Sequence, residues 1–318
     1  MILHIFQFLQ KKALNRIATV NYRFSQIIQD ETLWIRLDLG FKVVRTGALE
    51  IIIKRGVLVL RLAMAKFQLP VFESTFQPQF LHEVNKLHYL DLSMSNIDKD
   101  SLYKLLRSCL HLQKLSLEFV PLNNNICTAI ADCVSLNTLN LAMCEGLSRE
   151  GITRIVTSLV NLHSLNIAWT HLSLRSINIL VDRITPRICR LNVSGCRKTF
   201  LDRHLKILSE RCRGMDELDV SDCTMLTKEC IPFFHNFREI RYISLSRCYN
   251  IPMNAYGDLC DIKTLKFLDV FGLLSTSGLQ SVESGFPGVG INKFVHSSIA
   301  RPTVAPRRTS IWGSKTRD

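Results

Sequence analysis

A leucine-rich hexad recurs along most of this chain, and it limits the possible folds more than any other feature. The unit reads Leu-x-x-Leu-x-Leu, and its first residues are Leu87, Leu112, Leu136, Leu162, Ile188, Met215, Ile240 and Leu265. Successive units are 25, 24, 26, 26, 27, 25 and 25 residues apart. A period of this size is typical of a solenoid, in which each repeat packs only on its neighbours, rather than of a globular core.

Each repeat contains a strand signal followed by a helix signal. In the segment 90–93, Leu-Asp-Leu-Ser, apolar and polar residues alternate, which predicts a short strand with one buried face. Apolar residues then recur at intervals of three and four, as in Leu102, Leu105 and Leu106. We therefore predict an α/β leucine-rich-repeat horseshoe with parallel concave strands and outer helices.

The repeat pattern also predicts the domain boundaries. The hexad extends back through Val57 to Trp34, which gives about ten strands, and it fades after Leu268 into a closing unit near Ile291. We predict a short all-α module at 1–37, the solenoid at 38–292 and a C-terminal tail at 293–318. The proline content and charge of the tail alone would indicate a flexible segment.

The eleven cysteines fit the repeat better than they fit a metal site or a disulfide framework. Seven occupy two fixed repeat positions, namely Cys109, Cys133, Cys144, Cys196, Cys212, Cys223 and Cys248. No Cys-x-x-Cys pair is present, so we expect buried structural thiols and no metal. Free thiols favour a reducing compartment, and we expect the protein in the nucleus and cytoplasm.

The net charge of +13 favours acidic partners, but its distribution does not favour nucleic acid. Basic residues form only a modest C-terminal cluster: Arg301, Arg307, Arg308, Lys315 and Arg317. No apolar run is long enough to span a membrane, and we expect no membrane or nucleic-acid partner.

Enzyme chemistry finds no support in the sequence. No phosphate-binding glycine loop is present, and His82, His88 and His204 are isolated, as surface or capping histidines are. We assign no catalytic residues and no cofactor.

Motifs at both ends of the chain identify a family resemblance. Residues 20–24, Val-Asn-Tyr-Arg-Phe, and 30–34, Asp-Glu-Thr-Leu-Trp, resemble the second half of an F-box. The tail segments 299–303, Ile-Ala-Arg-Pro-Thr, and 311–313, Ile-Trp-Gly, resemble the S-phase kinase-associated protein two family of F-box/leucine-rich-repeat proteins.

The resemblance implies a non-catalytic substrate receptor of an SCF ubiquitin ligase. In the family, the F-box binds the Skp adaptor, which links to cullin. The concave surface, together with a Cks-type CDK accessory subunit, captures phosphorylated CDK inhibitors at the G1/S transition of the cell cycle. The C-terminal tail of the family folds back along that surface.

The resemblance also suggests which residues contact the adaptor. The candidates are Ile5, Phe6, Leu9, Phe24 and Trp34. Phe24 is favoured, because Trp34 is also the first ladder residue and could simply cap the solenoid. The segment lacks the opening Leu-Pro-x-Glu of the F-box, and Phe24 stands where the family has Trp. Either an incomplete chain start or a real loss of adaptor binding would explain this truncation.

The candidate partner site lies two residues past the third ladder residue, where each strand leaves the concave sheet. Trp169, Asp222 and Arg247 occupy this position in three repeats, and they match family positions for the Cks subunit and the inhibitor. Strands about 4.8 Å apart put Trp169 about 10 Å from Asp222 and make Asp222 and Arg247 neighbours. A plain ion pair and a Trp covered by the tail are the structural alternatives.

Two further interpretations remain open from the sequence. The polar residues of the concave strands, such as Asn140 and Asn166, could satisfy neighbouring backbone groups instead of binding a ligand. The whole chain could be a leucine-rich-repeat scaffold that binds protein without any ligase function.

Overall fold

A computed structural model describes residues 1–73, 76–81, 84–273, 276–303 and 310–316. The interpretations given above for His82, Arg307, Arg308 and Arg317 concern residues outside these ranges.

An eleven-stranded parallel sheet forms the spine of the molecule. Its strands are β1 (Arg36–Asp38), β3 (Val59–Arg61), β5 (Tyr89–Asp91), β6 (Lys114–Ser116), β7 (Thr138–Asn140), β8 (Ser164–Asn166), β9 (Arg190–Asn192), β10 (Glu217–Asp219), β11 (Tyr242–Ser244), β12 (Phe267–Asp269) and β13 (Gly290–Ile291). Consecutive strands pair in constant register, so that Leu115 lies beside Leu139 and Leu139 beside Leu165. A separate parallel pair joins β2 (Val43–Val44) to β4 (Lys66–Phe67).

One helix follows nearly every strand and covers one face of the sheet. The α-helices of the solenoid are α4 (Ala48–Lys54), α5 (Lys99–Ser108), α6 (Asn124–Asp132), α7 (Arg149–Ser158), α8 (Leu174–Arg183), α9 (Asp202–Arg211) and α10 (Thr276–Gly285). A side chain caps the start of each helix from α5 to α8, and Asp98 and Ser148 are two of these caps. The ladder leucines and the apolar helix residues form one continuous core. The predicted leucine-rich-repeat solenoid is confirmed.

Some connecting segments are 3-10 helices rather than the α-helices that the spacing predicts. They are Pro78–Leu81, Lys228–Asn236 and Met253–Asp261, besides Glu31–Leu33 near the N-terminus. Pro232 lies inside Lys228–Asn236, and because it has no amide hydrogen it cannot donate the backbone hydrogen bond that an α-helix requires.

The cysteines occupy the solenoid core as predicted. All seven in repeat register are buried and free, as are Cys127 and Cys230, whereas Cys189 is half-buried and Cys260 exposed. Burial raises the pKa of the Cys109 thiol to about 11 and that of Cys144 to about 12. Within the described ranges, no cluster of three or more metal-ligating side chains exists, and no helix has the length and apolarity to cross a membrane.

The N-terminal module consists of α1 (Ile2–Phe6), α2 (Lys11–Ile17) and α3 (Tyr22–Ile28). Its junction with the solenoid is the buried indole of Trp34, which donates a 2.6 Å hydrogen bond to the Ile28 carbonyl. The Arg55 guanidinium lies 4.5 Å from the centre of the same ring. Trp34 therefore joins the helical module to the first repeat.

The described part of the tail packs against the uncovered face of the sheet, which we call the concave face. The Phe294 ring meets Tyr242 and Phe267, and Ile299 and Ala300 are buried. A two-residue hairpin follows, with β14 (Ser310–Ile311) paired to β15 (Ser314–Lys315) and positive φ at Trp312 and Gly313. Residues 293–303 and 310–316 thus lie along this face, and we call them the strap.

Candidate functional site

The turn residues that follow ten successive strands share one unusual backbone conformation. They are Phe41, Met64, Met94, Phe119, Met143, Trp169, Gly195, Asp222, Arg247 and Gly272, and we call them the rim row. Each has φ between 56° and 79°, the left-handed region that favours glycine. Among the residues that the structure describes, nine of the ten amides in this conformation, all except that of Gly272, donate a hydrogen bond to a carbonyl of the next repeat. Trp169 N, for example, donates to the Ser194 carbonyl at 2.9 Å. One side of the concave face therefore presents ten side-chain positions in a line.

Trp169 is half-buried, and its neighbours hold its ring flat. The indole covers Gly195, where an added Cβ would lie 2.4 Å from a ring carbon. On the ring lies the Arg197 guanidinium, 4.9 Å from the centroid. The ring is therefore fixed between a glycine and a cation.

Asp222 and Arg247 form the neighbouring pair that the repeat register predicts. Arg247 donates from Nε to Oδ1 at 2.9 Å and from Nη2 to Oδ2 at 2.5 Å, a two-point contact. This hydrogen bonding raises the pKa of the guanidinium. The carboxylate is buried while the Arg247 side chain is 43% exposed, so one edge of the cation faces solvent.

Arg197 links the two halves of the site, and sequence reasoning missed it. Its Nη2 lies 3.9 Å from Asp222 Oδ1 while its guanidinium covers Trp169. The residue lies two positions beyond the rim row, outside the rows that the ladder defines. The signal that could have found it is Gly195, because a glycine beside a large side chain leaves that side chain room to lie flat.

The rim row and the tail enclose two adjoining cavities. The first, of about 300 Å³, is lined by Trp169, Asp222 and Arg247 on the rim and by tail residues 294–297. The second, of about 450 Å³, lies toward the N-terminus and is lined by Met64, Met94 and Phe119. Met143, His296 and Arg301 contribute to both.

Polar contacts add to the packing of Phe294 in holding the tail in this position. Asn166 donates from Nδ2 to the Ile299 carbonyl at 3.0 Å. Arg301 donates to both carboxylate oxygens of Glu118, at 3.1 and 3.0 Å. The Trp312 indole donates to the Ala300 carbonyl at 3.1 Å and meets the Tyr89 ring edge-on.

The polar residues of the concave strands bond the backbone. The side-chain oxygens of Asn140, Asn166 and Asn192 accept hydrogen bonds from amides two residues ahead, in Ala142, Ala168 and Ser194. Asp219 does the same for Ser221, and burial raises the pKa of its carboxyl. These side chains therefore satisfy neighbouring backbone groups, as the structural alternative given above predicts.

The five proposed adaptor residues have different environments. Ile5 is 53% exposed, while Leu9 and Phe24 are half-buried. Phe6 and Trp34 are buried within the chain, and Phe6 packs edge-on against Phe24. As arranged here, Phe6 and Trp34 support the module from inside instead of forming its surface.

Sequence reasoning passed over the most exposed apolar residues of the N-terminal module. Phe8 and Tyr22 are each 78% exposed and Val20 is 65% exposed. Clusters of exposed large apolar side chains mark interaction sites. Phe8 and Val20 follow α1 and α2, and Tyr22 begins α3, so these residues fall outside the apolar spacing that marks the buried helix faces.

An F-box-like helical module joined to a leucine-rich-repeat solenoid defines the class of this protein. A family model described as the SKP2 LRR domain matches residues 47–318, and one described as F-box-like matches residues 1–40. The chain belongs to the SKP2 LRR domain family.

Two solved structures to which the chain is similar are distant in sequence. The leucine-rich repeat-containing protein LegL7 from Legionella pneumophila is 15% identical, with a TM-score of 0.47 and coverage of 72% of this chain and 82% of that one. A chain of the Rad7 and Elc1 complex in yeast is 15% identical, with a TM-score of 0.47 and coverage of 78% and 71%.

Proposed function

We propose that this chain is the non-catalytic substrate-recognition subunit of an SCF ubiquitin ligase. Its targets would be phosphorylated cell-cycle regulators such as CDK inhibitors, in the nucleus and cytoplasm. The observation that carries the proposal is the direct joining of an F-box-like segment to a solenoid of the SKP2 LRR domain family. The chain would supply proximity, since a bound target is held near the ubiquitin-loaded enzyme.

Adaptor binding through the N-terminal module is the first part of this proposal. The exposed apolar surface of Ile5, Phe8 and Tyr22 is suited to burial against a Skp adaptor, which would connect the chain to cullin. We expect the chain to co-elute with the adaptor in size-exclusion chromatography and Phe8→Glu to abolish co-elution. The matched control is Val134→Glu, because Val134 is 55% exposed but lies in the solenoid. Wild-type protein that never co-elutes with the adaptor would contradict the ligase role.

Binding of a Cks-type subunit at the rim is the second part. The half-buried Trp169 ring and the exposed edge of Arg247 offer one aromatic and one cationic contact, held by Arg197 and Asp222. Such rigid aromatic and arginine groups are the residue types that dominate protein interfaces.

We expect Trp169→Ala or Arg247→Ala to weaken binding of a Cks-type subunit at least about tenfold, corresponding to about 1.4 kcal/mol, because each removes an anchor from the interface. Isothermal titration calorimetry would measure this. Arg154→Ala is the control, since Arg154 is an exposed arginine of α7 paired with Glu150. Unchanged affinity in both rim variants would assign the row a structural role only.

A leucine-rich-repeat scaffold without ligase function is the second candidate. The burial of Phe6 and Trp34, two of the five proposed adaptor contacts, favours it. Retained partner binding at the rim without adaptor co-elution would support the scaffold over the receptor.

A further inference from the structure

The first five positions of the rim row are all apolar, whereas the remaining five include the ion pair of Asp222 and Arg247. We call these five apolar residues the methionine ridge; they are Phe41, Met64, Met94, Phe119 and Met143. The first four are 49%, 40%, 47% and 52% exposed. The left-handed backbone conformation is unfavourable for residues with side chains, and exposure of apolar surface to water is also unfavourable. Local stability therefore does not account for five such residues in succession.

Four members of the methionine ridge, Met64, Met94, Phe119 and Met143, form one wall of a groove. Its opposite wall is the tail at Arg301, Pro302 and Thr303, and the cavity between them has a volume of about 450 Å³. Arg61 and Asp91 in the floor are buried and lie 3.8 Å apart, and Glu118 binds Arg301. The charges of the floor are therefore mutually compensated, which leaves the ridge as the main accessible surface of the groove.

The exposed area of the ridge fits a short segment rather than a second copy of this chain. Four side chains about half-exposed offer roughly 400 Å². A stable dimer requires about 800 Å² from each partner. The area is sufficient for a few anchoring side chains of a peptide.

The spacing of the ridge favours a helical segment. Rim residues follow the strands and so recur about every 4.8 Å. One face of a helix presents a side chain every turn, about 5.4 Å, whereas one face of an extended strand presents one every ~6.8 Å. Adaptable methionines are also typical of grooves that bind amphipathic helices.

Charge at both ends of the ridge favours an acidic segment. Lys42 and Lys66 are exposed and follow Phe41 and Met64 closely in the sequence. The Lys66 amide donates a hydrogen bond to the Lys42 carbonyl, which keeps the two residues adjacent. At the other end, Arg197 covers Trp169. The protein as a whole carries a net charge of +13.

We propose that the methionine ridge is a docking groove for a short amphipathic helix with acidic flanks, carried by a protein that this chain captures. The groove continues into the Trp169 cavity through Met143, His296 and Arg301. A target bound at the rim site can therefore also engage the ridge. Only this last assignment, to a captured target, rests on the proposed function.

The proposal can be tested by selecting a random 16-residue peptide library, displayed on phage, for binding to this protein. The target of the selection is the full chain bound to its adaptor, or the chain alone if no adaptor binds. Selection with wild type, with subtraction on Met94→Glu/Phe119→Glu, should enrich peptides with apolar residues at intervals of three and four and with Asp or Glu at the ends. Synthetic copies of the enriched peptides should bind the double variant at least tenfold more weakly in fluorescence anisotropy.

Two matched variants make the test specific. Val134→Glu/Val160→Glu places the same charges on two exposed valines away from the ridge, at 55% and 56% exposure, and should bind normally. Lys42→Glu/Lys66→Glu should bind the acidic peptides more weakly than wild type does, and should bind more tightly the peptide versions in which Lys replaces each acidic residue. Circular dichroism and melting temperature establish that every variant is folded.

Absence of enrichment, enrichment of basic peptides, or equal binding to the ridge variant would each overturn the proposal. Adaptor co-elution and Cks binding, measured on the same ridge variant, should remain at wild-type level. If wild-type protein shows neither adaptor co-elution nor Cks binding, the receptor role is contradicted, while the peptide result stands unaffected.

Discussion

At the residue scale, a single backbone conformation organises the functional surface. Eight of the ten rim residues have side chains, although the left-handed region costs a non-glycine residue on the order of 1–2 kcal/mol. The conformation persists because the amide of each of these eight residues donates a hydrogen bond to the following repeat, as Met94 N does to the Glu118 carbonyl at 2.7 Å. Repeat stacking therefore determines how the candidate binding residues are presented.

Gly195 shows how one missing Cβ shapes this surface. We expect Gly195→Ala to lower the free energy of unfolding by about 2 kcal/mol, because of its φ of 79° and its clash with the Trp169 ring. Indole displacement should also shift the Trp fluorescence and weaken binding at the rim. Urea denaturation and fluorescence would test both. Gly214→Ala is the control, because no atom lies within 4 Å of the added Cβ; equal behaviour of the two variants would contradict the prediction.

His204 is a buried capping residue whose protonation the fold opposes. Its Nδ1 accepts from Leu201 N at 2.9 Å, and its Nε2 lies 2.8 Å from Asn178 Oδ1. Burial, and secondarily Arg203, lower its pKa from 6.5 to about 4. The folded state therefore binds fewer protons than the unfolded state between these pH values.

The stability that neutral His204 contributes is complete above pH 6.5 and is lost as pH falls from about 6.5 to 4. We expect wild type to lose about 2–3 kcal/mol more than His204→Gln across this window. Asp91, whose pKa burial raises to about 6, acts in the opposite direction in both proteins and cancels in the comparison. Urea denaturation at a series of pH values measures the difference. Parallel pH profiles would exclude the capping histidine as the cause.

At the element scale, the tail functions as part of the concave surface. Arg301 and Glu118 are 183 residues apart in sequence, yet their side chains are only 18% and 10% exposed and form two hydrogen bonds. Without the tail, neither cavity would have its second wall.

Breaking this ion pair should release the tail. We expect Arg301→Ala to cost about 2–4 kcal/mol of tail docking, because it leaves the Glu118 carboxylate buried without its cation. Hydrogen exchange at residues 297–303 should accelerate accordingly. The double variant Glu118→Gln/Arg301→Ala should recover part of the protection, since no charge is left buried. Wild-type protection in the single variant would show that the pair does not hold the tail.

At the scale of the whole molecule, the tail couples repeats that do not touch each other. A solenoid is stabilised mainly by contacts between adjacent repeats. In the described part of the chain, the strap reaches from Phe267 in β12 to Tyr89 in β5 and so bridges seven repeat steps. Fraying at one end should then disturb contacts near the other.

A chain ending at Asn292 should unfold less cooperatively than the full chain, because it keeps the nearest-neighbour contacts and loses the bridge. We expect a broader urea transition with a smaller slope, and a midpoint that differs between Trp fluorescence and circular dichroism. Val295→Ser is the control, since Val295 is 74% exposed in the strap. A single transition with the wild-type slope would show that the repeats alone set the cooperativity.

The sequence by itself determined the repeat fold, the strand register and the place of the cysteines. These follow from local patterns with a period near 25, and nearest-neighbour stacking carries each pattern from one repeat to the next. The register also brought Asp222 beside Arg247 and put Trp169 in the same row.

Only the tertiary structure decided which rim residues are supported, which module residues are buried and what faces the ridge. The position of Arg197, the burial of Phe6 and the contact of Arg301 with Glu118 depend on packing between segments that share no periodic pattern. The physical reason is that the contacts between adjacent repeats recur along the chain, whereas the strap and the helical module each contact the solenoid only once. A contact that occurs only once produces no periodic pattern in the sequence, so the sequence does not predict it.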